Sequence, residues 1–257
     1  MSGAYNAPMS EAFDDLCDAY EAMIDWPRRL ANEGPFFRAV FESISCRRVL
    51  DAACGTGHHA AMFHSWGLSV EGADVSQHMI QRCRQRHGES NALRWTVRGF
   101  DEPVASGERF DAAICIGNSL ALASDAGRAG AAVGHMLQAV RPGGLVVVHV
   151  LNLWKLPDGA IAWQKCLRAS LPQGDCLVTK GVHRRGSAGF VDMLVTRLDV
   201  SPPALRAECV PFLGLDADDL RRFAADGGAA AVEVWGGYQR QPYNPTDSTD
   251  LILVARR

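Results

Sequence analysis

The sequence lacks the features that mark several large protein classes. Its longest apolar run, around 144–151, is far shorter than the roughly 20 residues that span a bilayer. Its eight cysteines are scattered without a CxxC pair, which predicts reduced thiols in a cytoplasmic protein rather than disulfides or zinc. The N-terminal region carries acids instead of a basic and an apolar segment, so we expect no secretory signal.

Positive charge is not in excess either. The chain has 26 Lys and Arg against 29 Asp and Glu, a formal net charge of −3, whereas domains that bind nucleic acid are usually basic. We therefore expect no nucleic acid and no membrane as partner. His, Cys and acidic residues show no metal-ligand spacing, so we expect no metal. With 257 residues, 47% hydrophobic and 21% charged, the composition is that of a globular chain.

From residue 46 onward, apolar segments alternate with amphipathic ones. The pattern predicts strands at 48–52, 68–74, 93–97, 110–116 and 145–151, with helices between them that begin after Ser76 and Asp125. A further helix at 216–225 and strands at 230–235 and 251–255 follow. This alternation is typical of an α/β fold with a doubly wound, Rossmann-like sheet, whose ligand lies at the carboxyl ends of the strands.

Three segments are predicted along the chain. Residues 1–45 have a helical pattern with a cap at Ser10 and breaks at Pro27 and at Gly34-Pro35. Residues 46–151 and 211–257 form the core. Residues 152–210 contain β-like stretches at 176–183, 190–200 and 205–210, and we expect them to be an inserted cover on the ligand side of the sheet.

The turn after the first strand carries the strongest chemical signal, Asp51-Ala52-Ala53-Cys54-Gly55-Thr56-Gly57. Glycines here let the backbone approach a ligand closely. Gly55-x-Gly57-x-x-Ala60, with Asp74 about 20 residues later, also fits the dinucleotide fingerprint. Asp51 favours a cationic ligand instead, because its carboxylate would repel a pyrophosphate. S-adenosyl-L-methionine (SAM) has an ammonium, a sulfonium and a ribose that Asp74 could bind.

Asp51-x-Ala53-x-Gly55-x-Gly57 resembles the first motif of the class I, seven-strand SAM-dependent methyltransferases, with alanine in place of the first glycine. Further segments resemble the later motifs in order: 72–76, 99–101, 110–119 and 141–144. The resemblance covers about 47–151 and 211–257. It implies a seven-stranded sheet with an antiparallel last strand, SAM as cofactor and S-adenosyl-L-homocysteine as product.

Within that family, 53–57 and 117–119 are most similar to glycine N-methyltransferase and related small-amine enzymes. The resemblance implies that the N-terminal helices form a lid and that Arg29 binds the methionyl carboxylate. The cofactor contacts implied in this way are Tyr20, Trp26, Arg29, Asp51, Ala53, Gly55, Gly57, Asp74, Val75, Met79, Gly99, Phe100, Asp101, Ile116 and Gly117.

Four residues are candidates for contact with the acceptor or the reacting atoms. Asn118 follows the fourth strand, and His149 lies near the end of the fifth, where a core role competes with that of a base. Tyr238 and Tyr243 lie in the loop at 236–245, which we expect at the carboxyl edge. The family arginine that holds an amino-acid acceptor after strand five has no match at 149–153, which makes glycine itself a poor acceptor.

The sequence therefore predicts a SAM-dependent methyltransferase that acts on a small molecule. Nitrogen is favoured over oxygen, because a neutral amine already has a lone pair and no clear base is present. O-methylation, a non-methylating SAM reaction such as intramolecular cyclisation and, more remotely, an NAD(P)-dependent oxidoreductase stay open as alternatives. The acceptor and the oligomeric state are not determined, which leaves a homodimer open.

Overall fold

The computed structural model describes residues 17–104 and 109–257. The predicted cap at Ser10 lies outside this part of the chain. Contacts divide the chain into two compact units. The smaller contains residues 17–25 and 157–211, and the larger contains residues 26–156 and 212–257.

The regular elements follow the order that the sequence pattern predicts. The strands are β1 (Arg48–Ala52), β2 (Ser69–Asp74), β3 (Leu93–Val97), β4 (Phe110–Cys115), β5 (Val140–Leu151), β6 (Ala162–Leu171), β7 (Gly174–Arg185), β8 (Ala188–Arg197), β9 (Ala204–Leu213), β10 (Ala231–Trp235) and β11 (Asp250–Arg256). The helices are α1 (Trp26–Glu42), α2 (His58–Ser65), α3 (Gln77–His87), α4 (Ala126–Ala139) and α5 (Ala217–Asp226), and residues 17–23 are also helical.

The larger unit contains a seven-stranded sheet with the order β10-β11-β5-β4-β1-β2-β3. β1 pairs in parallel with β2 and β4, whereas β11 is antiparallel to both β5 and β10. This confirms the predicted Rossmann-like sheet with its antiparallel last strand. The chain order reverses between β1 and β4, and the carboxyl ends of these two strands are where such sheets bind ligands.

Helix α1 runs without interruption through Pro35, so the predicted break at Gly34-Pro35 was wrong. A proline inside a helix removes one hydrogen bond and costs roughly 3 kcal/mol. α1 also buries Phe36, Phe37 and Phe41 in the core of the sheet. Each buried phenylalanine contributes about 1.5–3 kcal/mol, and together they outweigh the cost of the proline.

Side-chain caps fix the start of three helices. Ser76 Oγ accepts a hydrogen bond from the Met79 N–H at the start of α3, and Asp125 accepts one from the Arg128 N–H at the start of α4. Both caps were predicted. Asp216 forms a capping box at the start of α5. Such a side chain satisfies N–H groups that the first turn of a helix leaves without partners.

The smaller unit contains an antiparallel sheet with the order β6-β7-β8-β9. Its first strand, β6, was not predicted, because most of its side chains are exposed and no apolar stretch marks it. Ala19 and Met23 from the helical residues 17–23 pack against Cys176, Val178 and other side chains of this sheet. Residues 17–25 therefore belong with the insert, although the helical pattern of the sequence predicted one segment for residues 1–45.

All eight cysteines lie in the described part of the chain, and all are free thiols. Six are buried or half-buried, and Cys166 and Cys209 are exposed. The prediction that the cysteines form no disulfides is thereby confirmed for these residues. No helix within residues 17–104 and 109–257 is long and apolar enough to cross a membrane.

Gly57 precedes α2 in a left-handed conformation, with φ +81°. A Cβ atom at Gly57 would lie 2.6 Å from Trp95 Cη2 and 2.9 Å from Cys83 Sγ. Gly55 is also left-handed, with φ +53°, but a Cβ atom there would meet nothing within 4 Å. A substitution at Gly55 therefore introduces backbone strain alone, whereas one at Gly57 introduces both backbone strain and steric overlap.

Gly57→Ala should destabilise the protein more than Gly55→Ala. Left-handed backbone costs a non-glycine residue about 1–2 kcal/mol, and this applies to both variants. Overpacking of a core adds typically 1–3 kcal/mol, which applies to Gly57→Ala alone. Urea unfolding of both variants measures the difference. If both variants lose the same free energy of unfolding, the side chains of Trp95 and Cys83 move aside without a measurable cost.

Candidate functional site

The side chains at the carboxyl edge of the seven-stranded sheet share one face. Asp51 of β1 pairs with Ile114 of β4, and Ile114 pairs with Val147 of β5. Paired residues and alternate residues of a strand point to the same face, so His149 lies on the face that carries Asp51. His149 pairs with Ile252 of β11, which extends this face to the last strand.

The loop between β1 and α2 folds around a carboxylate. Ala53, Gly55 and Gly57 all have positive φ angles. The Gly55 N–H donates to Asp74 Oδ2 at 2.9 Å, and the Ser76 N–H donates to Asp74 Oδ1 at 2.9 Å. A glycine-rich loop that binds a phosphate directs its N–H groups at that anion. Here the Gly55 N–H is directed at Asp74, which argues against a pyrophosphate at this loop.

Asp51 is a buried carboxylate without a hydrogen-bond donor. Asp51 is 1% exposed, and neither of its carboxylate oxygens has a hydrogen-bond partner in the described chain. Burial, and secondarily the charge of Asp74, raises the pKa of Asp51 to about 7. The nearby Ala60 N–H, which lies outside hydrogen-bond geometry, and the Arg29 charge lower the pKa only in part. Burial of an anion is costly unless a cation compensates it, so this position fits a cationic ligand.

These two carboxylates fit the chemistry of SAM. The uncompensated charge of Asp51 suits an ammonium or a sulfonium. A carboxylate accepts about four hydrogen bonds, so Asp74 can hold the loop and bind ribose hydroxyls at once. Val75, next to Asp74, is 58% exposed at the end of β2, which suits an apolar contact with an adenine ring.

Helix α1 brings an arginine to the same edge. Arg29 Nη2 lies 3.4 Å from the position that a Cβ atom on Gly117 would occupy. Arg29 Nε donates to Glu33 Oε1 at 2.8 Å, and Glu33 Oε2 lies 2.7 Å from His59 Nε2 of α2. Glu33 therefore fixes the Arg29 side chain and joins α1 to α2. Trp26 adds a second link, because its ring stacks on His58 at 4.0 Å.

The Glu33–His59 contact is a hydrogen bond between an anion and a neutral ring. Burial would raise the pKa of Glu33, but the His59 hydrogen bond and the Arg29 charge hold it below its usual value. Burial, together with the charges of Arg29 and His58, lowers the pKa of His59 below its usual value although Glu33 acts in the opposite direction. His59 is thus neutral at pH 7 and donates its Nε2–H to the Glu33 carboxylate.

The residues expected around the adenine lie at the ends of β2 and β3 and at the start of α3. Met79 is buried in the first turn of α3. Gly99, Phe100 and Asp101 follow β3, and Phe100 lies near Ala52 and Ala73 around a small cavity. Asp101 Oδ2 accepts a hydrogen bond from Arg128 Nη1 at 2.9 Å, so part of its binding capacity is used by α4. Adenine contact by these residues stays a prediction.

Ile116, Gly117 and Asn118 follow β4 directly. Asn118 has a φ of 73°, and its N–H donates to the His149 carbonyl. Its Oδ1 accepts a hydrogen bond from the Leu151 N–H at 2.9 Å. These bonds to β5 fix the side chain of Asn118 and leave its Nδ2 amino group as the donor that could reach a ligand.

Both ring nitrogens of His149 are engaged. The Gly117 N–H donates to Nδ1 at 3.1 Å, and Nε2 lies 3.0 Å from Asp250 Oδ1. Because a backbone N–H can only donate, Nδ1 must be the acceptor and the proton must be on Nε2. A proton on Nδ1 would point at the Gly117 N–H. His149 therefore holds Asp250 in place and offers no lone pair to a substrate.

The two tyrosines of the loop at 236–245 also contact other parts of the protein, and their contact with an acceptor stays a prediction. Tyr238 is 7% exposed and packs edge-on against Phe36, with ring centroids 5.5 Å apart. Its ring is apolar enough to complete the core, which explains its burial. Tyr243 donates its hydroxyl to Asn152 Oδ1 at 3.0 Å. Tyr20 lies in the smaller unit and packs against its apolar cluster.

Sequence reasoning missed two residues of this arrangement. His59 is not among the candidate residues of the sequence analysis, but it is 5% exposed and bound to Glu33. Asp250 is the second. It begins the antiparallel strand β11 beside β5, so its position at the carboxyl edge could have been inferred from the sequence.

Comparison with known proteins gives consistent results. Residues 49–144 match the family described as "Methyltransferase domain". The chain is 29% identical over 243 residues to the glycine N-methyltransferase of Mus musculus, which covers 86% of this chain and 82% of the mouse protein.

Two solved structures share the fold. The sugar N-methyltransferase KedS8 from Streptoalloteichus sp ATCC 53650 has a TM-score of 0.76 at 21% identity, over 100% of this chain and 97% of that one. The SAM-bound amino pentose methyltransferase CalS10 from Micromonospora echinaspora has a TM-score of 0.71 at 19% identity, over 100% of both chains.

Asp74→Ala should weaken SAM binding about 10- to 150-fold, because a charge-assisted hydrogen bond of roughly 1.5–3 kcal/mol to the ribose is lost. The loop also loses the acceptor of the Gly55 N–H. Calorimetric titration with SAM measures the affinity, and thermal unfolding shows whether the variant is folded. Unchanged affinity in a folded variant would reject the ribose contact.

SAM binding should become about tenfold tighter between pH 6 and pH 8. The pKa of Asp51 is raised to about 7, so at pH 6 most of the protein has a neutral carboxyl that must lose its proton before it attracts a cation. The gain should level off above about pH 8, where Asp51 is almost fully ionised. Calorimetry on Asp51→Asn should show no such dependence, and the same slope in that variant would contradict the assignment.

Proposed function

We propose that this chain, which is a class I SAM-dependent methyltransferase, transfers the methyl group to a nitrogen atom of a small-molecule acceptor. The observation that carries the choice of nitrogen is the state of His149. Both of its ring nitrogens are engaged by Gly117 and Asp250. A hydroxyl acceptor benefits from a positioned base, whereas a neutral amine already has its lone pair.

The residues that would hold the cofactor follow from their charges. Asp51 faces the cationic part, Asp74 binds the ribose, and Arg29 binds the methionyl carboxylate. A guanidinium forms two parallel bonds to a carboxylate, and Glu33 orients the Arg29 guanidinium through Nε. When bound, SAM supplies a methyl carbon on a positively charged sulfur, and the S–C electron pair stays on sulfur as the N–C bond forms.

The protein's own contribution to the reaction is position and exclusion of water. Trp26 and Glu33 join α1 to α2 above the glycine loop, which keeps Arg29 beside Gly117. Near-attack alignment of this kind can supply several kcal/mol of the barrier without any base. Asn118, fixed by the Leu151 N–H, would place its amino group at the junction of cofactor and acceptor.

The relatives support nitrogen as the acceptor atom. The mouse protein is named for the N-methylation of glycine, and KedS8 is a sugar N-methyltransferase. The sequence offers no arginine at 149–153 to hold the carboxylate of an amino acid. We therefore favour an amine other than glycine as the acceptor.

Methylation assays with matched acceptors test this proposal. We expect S-adenosyl-L-homocysteine to form with at least one of sarcosine, an amino sugar and ethanolamine, and not with glycolate or the corresponding neutral sugar. Mass spectrometry should show one added methyl group on nitrogen. Calorimetric titration should detect SAM but not NADH. Transfer to the hydroxyl compounds, or binding of NADH alone, would overturn the proposal.

A further inference from the structure

Asp250 is the first residue of β11 and carries a partly exposed carboxylate at the edge that holds the site. Its side chain is 29% exposed, and one oxygen, Oδ1, accepts the hydrogen bond from His149 Nε2 at 3.0 Å. It pairs in register with Leu151, the last residue of β5. Since Leu151 and His149 alternate along β5, Asp250 lies on the same face as Asp51.

The charge of Asp250 is not neutralised by the protein. Within the described residues, no Lys or Arg nitrogen lies within 4 Å of the Asp250 carboxylate. The contact that could be an ion pair is the one with His149. His149 is held as the neutral tautomer, since Nδ1 accepts from the Gly117 N–H. Lys155, which follows β5, donates to Thr249 Oγ1 instead. The edge of β11 therefore presents a fixed anion.

The sheet separates this anion from the cofactor carboxylates. Asp51 lies on β1, Gly117 follows β4, and Asp250 lies beyond β5 on β11. Neighbouring strands are about 4.8 Å apart, so Asp250 is about 14 Å from β1 and about 10 Å from β4. Asp51 and Asp74, which are expected to bind the cofactor, thus lie on one side of Gly117, and Asp250 lies on the other side.

The negative charge of the Asp250 carboxylate favours an amine over a hydroxyl compound. A carboxylate without a cationic neighbour attracts an ammonium through charge as well as hydrogen bonds, and such bonds are roughly twice as strong as neutral ones. An amine that donates one N–H to Asp250 also directs its remaining tetrahedral positions away from β11. Before transfer the bound ammonium releases one proton to solvent, and the lone pair of the resulting neutral amine then points back toward Gly117 and the methyl group.

We propose that Asp250, oriented by His149, binds the N–H groups of the acceptor amine and so determines the substrate class of the enzyme. This inference rests on the proposed N-methyltransferase function and names the residue that recognises its substrate. His149 is a positioning residue in this arrangement, because it contacts Asp250 rather than the reacting atoms.

Asp250→Asn is the decisive variant. The amide keeps an oxygen that can accept from His149 Nε2–H but removes the negative charge, so the fold should be unaffected. Asp247→Asn is the matched control, because it removes an exposed carboxylate three residues earlier in the same loop. Both variants are compared with the wild-type chain using SAM and the amines sarcosine, ethanolamine and an amino sugar, with binding of each amine measured in the presence of S-adenosyl-L-homocysteine.

For an amine that the wild-type chain methylates, we expect Asp250→Asn to raise KM about 10- to 150-fold, the loss of one charge-assisted hydrogen bond. The Kd for SAM should stay within twofold, kcat should fall less than KM rises, and Asp247→Asn should match the wild type. Asp250→Glu should restore part of the loss, which a purely structural role would not predict.

The two ways of failing differ. If amines are methylated and Asp250→Asn keeps the wild-type KM, the role of Asp250 is wrong and the proposed function stands. If none of the amines is bound or methylated, or if glycolate is methylated instead, the proposed function and the role of Asp250 both fail. A change in SAM affinity equal to the change in KM would place Asp250 in cofactor binding and also overturn the inference.

Discussion

The site is organised by a carboxylate that the protein buries without a partner. Asp51 lies at the end of β1, at the point where the order of the strands reverses, and burial raises its pKa to about 7. Neither of its oxygens accepts a hydrogen bond in the described chain. Such a group costs stability in the absence of a cation. The glycine loop follows Asp51 directly. A second carboxylate, Asp74, fixes the conformation of this loop by accepting a hydrogen bond from the Gly55 N–H.

Helix α1 depends on the same edge of the sheet. Its phenylalanines anchor it to the core despite the internal Pro35, and this places Arg29 and Glu33 over the carboxyl ends of the strands. Glu33 then shares its two oxygens between Arg29 and His59 of α2. One buried carboxylate thus fixes both the cationic side chain expected to bind SAM and the helix that follows the glycine loop.

At β5 and β11, a neutral histidine rather than a cation orients the carboxylate. The Gly117 N–H sets the tautomer of His149, and that tautomer orients Asp250. The ring is therefore a spacer with a fixed proton rather than a base. The proposed division of labour, with Asp51 and Asp74 toward the cofactor and Asp250 toward an amine, follows from which strand carries each carboxylate.

The sequence by itself determined the doubly wound sheet, the caps at Ser76 and Asp125, and the glycine loop, because these depend on periodicity and on local turn chemistry. It also identified SAM through Asp51. Only the tertiary structure decided that α1 continues through Pro35 and that Tyr238 lies in the core. The same is true of the His59 bond to Glu33 and the fixed proton of His149. Each of these depends on contacts between residues far apart in the chain. The partners of His59 and His149 lie 26 and 101 positions away, so no local sequence pattern indicates these contacts.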